Sequence, residues 1–141
     1  MIIPVDTQNK AEWARLCNAL WPHNSPADML EEWEAGKLPH EFLYYREGQA
    51  VAFVSLSLRR DYVEGTESSP VGYIEGIYVE PALRQAGIAR ELIAFAGDWS
   101  RQRGCTEMAS DCEVENTLSR RFHAGVGFEE AGVNVHFTMK L

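Results

Sequence analysis

The sequence predicts a mixed α/β (α+β) fold: a central, mostly antiparallel twisted sheet of six to seven strands flanked by about four helices. Three observations carry that expectation. Three apolar runs of strand length, Phe42 to Arg46, Ala50 to Leu58 and Val71 to Val79, follow one another with turn residues between them, as antiparallel neighbours do. An amphipathic segment opened by Gly87 and closed by Gly104 lies between two strand candidates, Val71 to Val79 and Cys105 to Ser110, the pattern of one strand-helix-strand crossover. The 141 residues contain no repeat, low-complexity tract or Pro/Gly/Ser linker, so residues 1–141 read as one unit, long enough to bury a core.

The elements follow in order. Ile2 to Val5 reads as a short strand, and Asp6 or Thr7 caps a helix on which Trp13, Leu16, Cys17 and Leu20 recur at helical spacing. Pro22 stops it near Trp21, because the residue before a proline is pushed out of helical geometry. Ser25-Pro26-Ala27-Asp28 supplies an N-cap, a proline at the first helical position and a first-turn acid for a second helix that ends near Gly36. Glu47-Gly48 is a hairpin turn. On the next strand Val51, Phe53, Ser55 and Ser57 face one side, and Ala52, Val54, Leu56 and Leu58 the other. Asp61 to Pro70 is polar and long for a hairpin loop, which suggests a binding segment. In the helix after Gly87 the stripe is Ile88, Leu92, Ile93, Ala96 and Trp99. A helix from about Asn116 to Ala124 and a final strand pair within Phe128 to Met139 complete the chain. Trp13, Trp33 and Trp99 fall on helical stripes and are assigned to the core.

Charge narrows the function. Thirteen Lys and Arg against 21 Asp and Glu give a formal charge of -8, a field that attracts cations and repels phosphate backbones. Nucleic acid is therefore excluded as a first reading, and a polyamine or aminosugar favoured. Cys17, Cys105 and Cys112 stand at no metal-ligand spacing, and His23, His40, His123 and His136 form no zinc pattern, so reduced thiols and no metal are expected. The first residues carry no basic, apolar leader, and no stretch reaches the roughly 20 apolar residues of a membrane span. The expected location is cytoplasmic.

The segment Val79-Glu80-Pro81-Ala82-Leu83-Arg84-Gln85-Ala86-Gly87-Ile88-Ala89 joins a buried strand to an amphipathic helix through small residues. Such a turn aims backbone N–H groups from the positive end of a helix, which is how a pyrophosphate is held. The alternative on spacing alone is an ordinary turn in which Pro81 and Gly87 serve geometry. Glu75 interrupts an apolar strand beside Gly76, and a carboxylate there is costly unless the strand borders a polar cleft. Glycine within a strand marks a bulge or a close approach; a solvent-facing acid beside a packing glycine is the plainer alternative. Asp111 ends its strand at the carboxyl edge, where α/β sheets place ligands, and is equally a turn residue. Asn116 reads first as the N-cap of its helix.

Arg84-x-x-Gly87-x-Ala89 after Ile77-Tyr78-Val79, with Asn116 and Gly127-Phe128 downstream, resembles the acetyl-coenzyme A (acetyl-CoA) site of the GNAT superfamily of N-acetyltransferases. Leu20-Trp21-Pro22, Asp61-Tyr62-Val63-x-Gly65, Ser68-Ser69-Pro70-Val71, Glu75-Gly76-Ile77, Met108-Ala109-Ser110-Asp111 and Glu115-Asn116-Thr117 resemble the aminoglycoside 6'-N-acetyltransferases within it. The resemblance implies a GNAT-like fold and transfer of acetyl from acetyl-CoA to the 6'-amine of aminoglycosides, an antibiotic-resistance activity, in a homodimer. It implies that Ile77, Tyr78, Val79, Gln85, Ala86, Gly87, Ile88, Ala89 and Arg90 contact the cofactor, with Asn116 nearby. Trp21, His23, Tyr62, Glu75 and Asp111 would line the aminoglycoside pocket, Glu75 and Asp111 as the candidate catalytic carboxylates.

Two departures stand out. Where the superfamily often has a tyrosine that protonates the leaving thiolate, this chain has Phe122-His123, so His123 is a candidate by position only. Where related enzymes carry another substrate-binding acid, it reads Ala131-Gly132, which leaves a cation contact absent or supplied by Glu129, Glu130 or a second subunit. The rival readings are acetylation of a polyamine, a peptide amino terminus or another small amine, and a non-catalytic module that binds acetyl-CoA or an aminoglycoside.

Overall fold

The computed structural model describes residues 1–141. In chain order the elements are β1 (Ile2–Pro4), α1 (Lys10–Leu20), α2 (Pro26–Glu34), β2 (Glu41–Arg46), β3 (Gln49–Arg59), β4 (Val71–Val79), a 3-10 turn (Pro81–Leu83), α3 (Ile88–Gln102), β5 (Met108–Ser110) and α4 (Thr117–Gly125). The strands form one sheet in the order β1-β2-β3-β4-β5, antiparallel from β1 to β4 and parallel between β4 and β5. The mixed architecture is as expected, with five strands in place of six or seven. The missing pair is the one expected within Phe128 to Met139, where no strand forms. Alternation alone does not make a strand: its hydrogen bonds need a neighbour, and residues 129–141 make no backbone hydrogen bond.

Local chemistry places the ends of the elements. Ser25 accepts from the Asp28 N–H at 3.1 Å while Asp28 accepts from the Ser25 N–H at 3.2 Å, closing the capping box that opens α2. The β2-β3 turn has Glu47 at φ 51° and Gly48 at φ 77°.

The sheet is covered on both faces. Ala52, Val54, Leu56, Ile74 and Val79 pack against Ile88, Leu92, Ile93, Ala96 and Trp99 of α3. Leu43, Ala50 and Phe53 pack against Trp13, Ala14, Leu16 and Cys17 of α1 and Met29 of α2. Trp13 and Trp99 are buried as expected, and Trp33 is partly so. Gly72 lets α3 approach: a Cβ there would overlap the Ser100 hydroxyl and lie 2.7 Å from the Ser100 Cβ.

Two irregularities open the sheet where a ligand needs room. Register shifts between Ser55 and Leu56, so that Ser55 faces Gly76 while Leu56 faces Ile74. The bulge turns Glu75 and Gly76, consecutive residues, toward the face of α1 and α2, as the interrupted strand pattern foretold. On the other edge β5 pairs only with Gly72 to Ile74, which leaves β4 from Glu75 onward without a neighbour on that side.

Candidate active site

The half of the site suited to an anion lies at the mouth of α3. Gln85 at φ 67° and Gly87 at φ 86° turn the chain into the helix, and no side chain caps it. The backbone N–H groups of Gln85 to Arg90 have no backbone acceptor, and the first bond of the helix runs from the Glu91 N–H to the Gly87 carbonyl at 3.0 Å. A Cβ on Gly87 would meet nothing within 4 Å. This donor set fits a diphosphate. Arg84 is drawn away from it, its Nε donating to the Val79 carbonyl at 2.9 Å with the guanidinium above the Tyr78 ring. Ile77, Tyr78 and Val79 lead to this turn along the unpaired edge of β4, and an acyl arm can run along that edge. Asn116 is the N-cap of α4, its Oδ1 accepting from the Ser119 N–H at 3.1 Å, so only its amide NH2 is free to meet a ligand.

Across β4 lies a cavity of about 760 Å³ lined by Trp21, His23, Asp28, Glu32, Glu41 and Glu75, among others. Trp21 follows the end of α1, and its indole packs edge-on to Phe53 with centroids 5.7 Å apart. Glu75 reaches the cavity through the bulge, as a carboxylate bordering a polar cleft would, and it is paired. Arg59 Nη2 donates to its Oε1 at 2.8 Å and to Oε2 at 2.9 Å, Arg59 Nε donates to Oε2 at 3.1 Å, and the Ser57 hydroxyl donates to Oε2 at 2.5 Å. The Arg59 guanidinium lies 3.4 Å from the centroid of the Tyr73 ring, and the Tyr73 hydroxyl donates to Asp111. Asp111 and Glu75 therefore flank one guanidinium. Burial first, and then the bond to Asp111, raise the Tyr73 phenol above its ordinary value.

The structure thus unites Trp21, His23 and Glu75 at the cavity and ties Asp111 to them through Tyr73 and Arg59. Tyr62 stands apart: it is exposed in the loop after β3, its hydroxyl accepting from the Gly65 N–H at 3.3 Å. Glu130, a possible extra acid, is engaged by Arg120 at 2.6 Å. His123 Nδ1 lies 2.7 Å from the Ser119 carbonyl, to which an N–H there donates, and Nε2 lies 2.9 Å from the Ser110 hydroxyl. Its ring packs against Phe128.

Sequence reasoning missed Glu41. Only 4 % exposed, it accepts from the Trp13 indole N–H at 3.0 Å and from the Ser55 hydroxyl at 2.6 Å, and it forms part of the cavity floor. Burial pushes its carboxyl up to about 8, against the opposing pull of those two bonds. The available signal was Trp13 itself, a core tryptophan whose indole N–H requires an acceptor. No group of three or more His, Cys, Asp or Glu is arranged to hold a metal ion, and no helix is long and apolar enough to cross a membrane.

A bulged, splayed sheet with an amide-lined helix mouth on one side of β4 and a carboxylate-lined cavity on the other defines a group-transfer protein for two ligands. The acetyltransferase (GNAT) family model matches residues 8–128, and the chain belongs to that family. It is 41% identical over 143 residues to the aminoglycoside N(6')-acetyltransferase type 1 of Acinetobacter haemolyticus, covering 99% of this chain and 98% of that one. To the enzyme of the same name from Serratia marcescens it is 43% identical over 134 residues, 92% of each chain. Its structure matches AAC(6')-Iy in complex with the bisubstrate analog CoA-S-monomethyl-acetylneamine at a TM-score of 0.90 and 37% identity, over 100% of this chain and 98% of that one.

Proposed function

We propose that this protein transfers the acetyl group of acetyl-CoA to the 6'-amine of aminoglycosides, in the cytoplasm. The observation that carries the reading is the placement, on opposite sides of β4, of a row of unbonded amides from Gln85 to Arg90 and a cavity that receives Glu75. The names of relatives matched over nearly the whole chain support it. Acetyl-CoA supplies the activated acetyl group. The amides at the α3 mouth hold its diphosphate, and β4 from Ile77 to Val79 aligns its arm.

The chain's own groups do the rest. Glu75 and Asp111 seat the acceptor's ammonium, and Trp21 offers an aromatic wall to a sugar ring. Carboxylates favour the charged amine, which aids binding and opposes deprotonation. A carboxylate then accepts the proton, directly or through water, so that the nitrogen lone pair attacks the thioester carbonyl; the C–N bond forms, the C–S bond breaks, and the thiolate leaves as coenzyme A, taking up the proton that the nitrogen gives up. Holding both ligands at one strand removes much of the entropic barrier.

Thiol release with paired aminoglycosides that differ only in an amine or a hydroxyl at the 6' position tests the reading; turnover of both or of neither contradicts it. Glu75→Gln and Asp111→Asn are each expected to lower kcat/KM for the aminoglycoside about ten- to a hundred-fold, the scale of a lost charge-assisted bond. The affinity for acetyl-CoA by calorimetry should stay unchanged.

The reading includes a homodimer. Val133, Val135, Phe137 and Met139 recur at every second residue, the period of a half-buried strand, yet stand 69, 75, 89 and 81 % exposed. Ala131, packed on Gly65, and Arg120, paired with Glu130, anchor the segment that leads to them. A second copy covers this apolar row. Val135→Asp with Phe137→Asp should halve the mass seen in sedimentation, and an unchanged mass refutes this mode of association.

A further inference from the structure

We infer that Arg59 is the internal counter-ion of the acceptor site: it occupies, on Glu75, the seat that an acceptor's ammonium takes, and must be displaced for the acceptor to bind. The inference rests on the reading of Glu75 as an ammonium seat. Oε2 of Glu75 already receives three donors, from Ser57 Oγ and from Arg59 Nε and Nη2, and Oε1 receives one from Arg59. A carboxylate has about four lone-pair sites in all, so this one is nearly saturated. An ammonium that arrives at Glu75 therefore trades places with the guanidinium.

Arg59 is built to be exchanged. It ends β3, its side chain is 42% exposed, and its guanidinium rests on the Tyr73 ring, a surface along which a planar cation can slide without losing its aromatic contact. Asp111, bonded to the Tyr73 hydroxyl, adds a second negative charge near the guanidinium; burial lowers the Arg59 pKa, and the bond to Glu75 and the charges of Glu75, Tyr73 and Asp111 outweigh it and raise the pKa. Arg59 imposes the same cost on every amine that seeks Glu75. Acceptors with one ammonium have little else to offset that cost, whereas those with several also face Asp28 and Glu32 in the same cavity. Arg59 thereby sets a threshold that favours polycationic acceptors.

Neamine is the probe. In Arg59→Gln and in Arg59→Met, which keeps apolar contact with Tyr73, neamine should bind about five-fold more tightly by calorimetry, the scale of a partly exposed ion pair. KM should fall with it while kcat changes little. Its Kd should also depend more steeply on salt, because an uncompensated carboxylate replaces a neutral pair. In the wild-type protein the arginine Nε–H nuclear magnetic resonance signal of Arg59 should shift on saturation with neamine and stay in place with coenzyme A alone. Neamine binding that is weaker or unchanged in both variants, or an Nε–H signal that ignores neamine, overturns the inference. If the wild type still acetylates neamine, that result leaves the proposed function standing. A wild type that binds no neamine overturns both.

Discussion

Gly76→Ala is expected to cut kcat/KM for an aminoglycoside by about a hundred-fold or more, while acetyl-CoA binds almost as before. A Cβ on Gly76 lies 2.5 Å from Cη2 of Trp21 and overlaps Cζ2, with Leu20 Cδ2 at 3.3 Å. The indole is a rigid plane held against Phe53 and has no flexible end to withdraw. It must leave its place on the wall of the cavity, and overpacking of this kind also costs about 1 to 3 kcal/mol of stability. A displacement of about 1 Å at an acceptor site is enough for a loss of that size. Steady-state kinetics with calorimetry for acetyl-CoA measures the effect. Trp21→Phe combined with Gly76→Ala should recover part of the stability, since a smaller ring leaves room for the methyl group, so the two changes should not add. Wild-type kinetics in Gly76→Ala would show that the indole is not needed where it stands.

Glu41→Gln is expected to change how stability depends on pH. The Glu41 carboxyl is raised from its ordinary value of 4.5 to about 8, chiefly by burial. The folded state thus holds a proton that the unfolded chain has already released. Glu41 contributes its full stability below about pH 4.5, loses it as pH rises, and has lost it all above about pH 8. The slope in that window reaches about 1.4 kcal/mol per pH unit. Glutamine can still accept from Trp13 through its carbonyl oxygen, its NH2 group can donate to Ser55 Oγ in place of the bond the carboxyl accepts there, and it cannot ionise. From near pH 5 to near pH 8 the wild type should therefore lose on the order of 3 kcal/mol relative to the variant, which separates the thermal midpoints by about 10 °C. Parallel melting curves across that range would show that Glu41 is ionised in the fold.

The two effects share a cause. The acceptor side of the sheet is packed more tightly than a solvent-facing cleft needs to be, because the bulge at Ser55 and Leu56 brings Gly76 beneath Trp21 while Glu41 and Ser55 fill the layer below. The Glu41 carboxyl there already holds the Trp13 indole and the Ser55 hydroxyl, and the Gly76 backbone already meets the Trp21 ring, so a charge or a methyl group added in that layer is poorly accommodated.

Much of this was legible in the residues. The bounds of β4, the capping box of α2, the glycine turns at Gly48 and Gly87 and the stripe of α3 each follow from local stereochemistry or from a period of 2 or 3.6 residues. Gly76 within an apolar strand pointed to a bulge or a close approach, beside the plainer alternative of a packing glycine, and the structure has both a bulge and a close approach. Two features were not legible. The alternation in Phe128 to Met139 suggested a final strand pair, and no strand forms there, because period 2 records which side chains share a face but supplies no neighbour to bond. Arg59 falls at the end of a strand, and no spacing within one strand tells which carboxylate on the next will meet it.

The sequence by itself determined the order of helices and strands as far as α4, the glycine turn at Gly87 that opens α3 and the acidic balance of the chain, because these depend on groups a few residues apart or on summed charge. Only the tertiary structure decided that Glu75 is held by Arg59, that Asp111 joins it through Tyr73, and that Glu41 lies buried with its carboxyl pKa raised by burial. Those outcomes depend on register across three strands and on how far water is excluded, and distances between residues remote in the chain are settled only when the sheet closes on its helices.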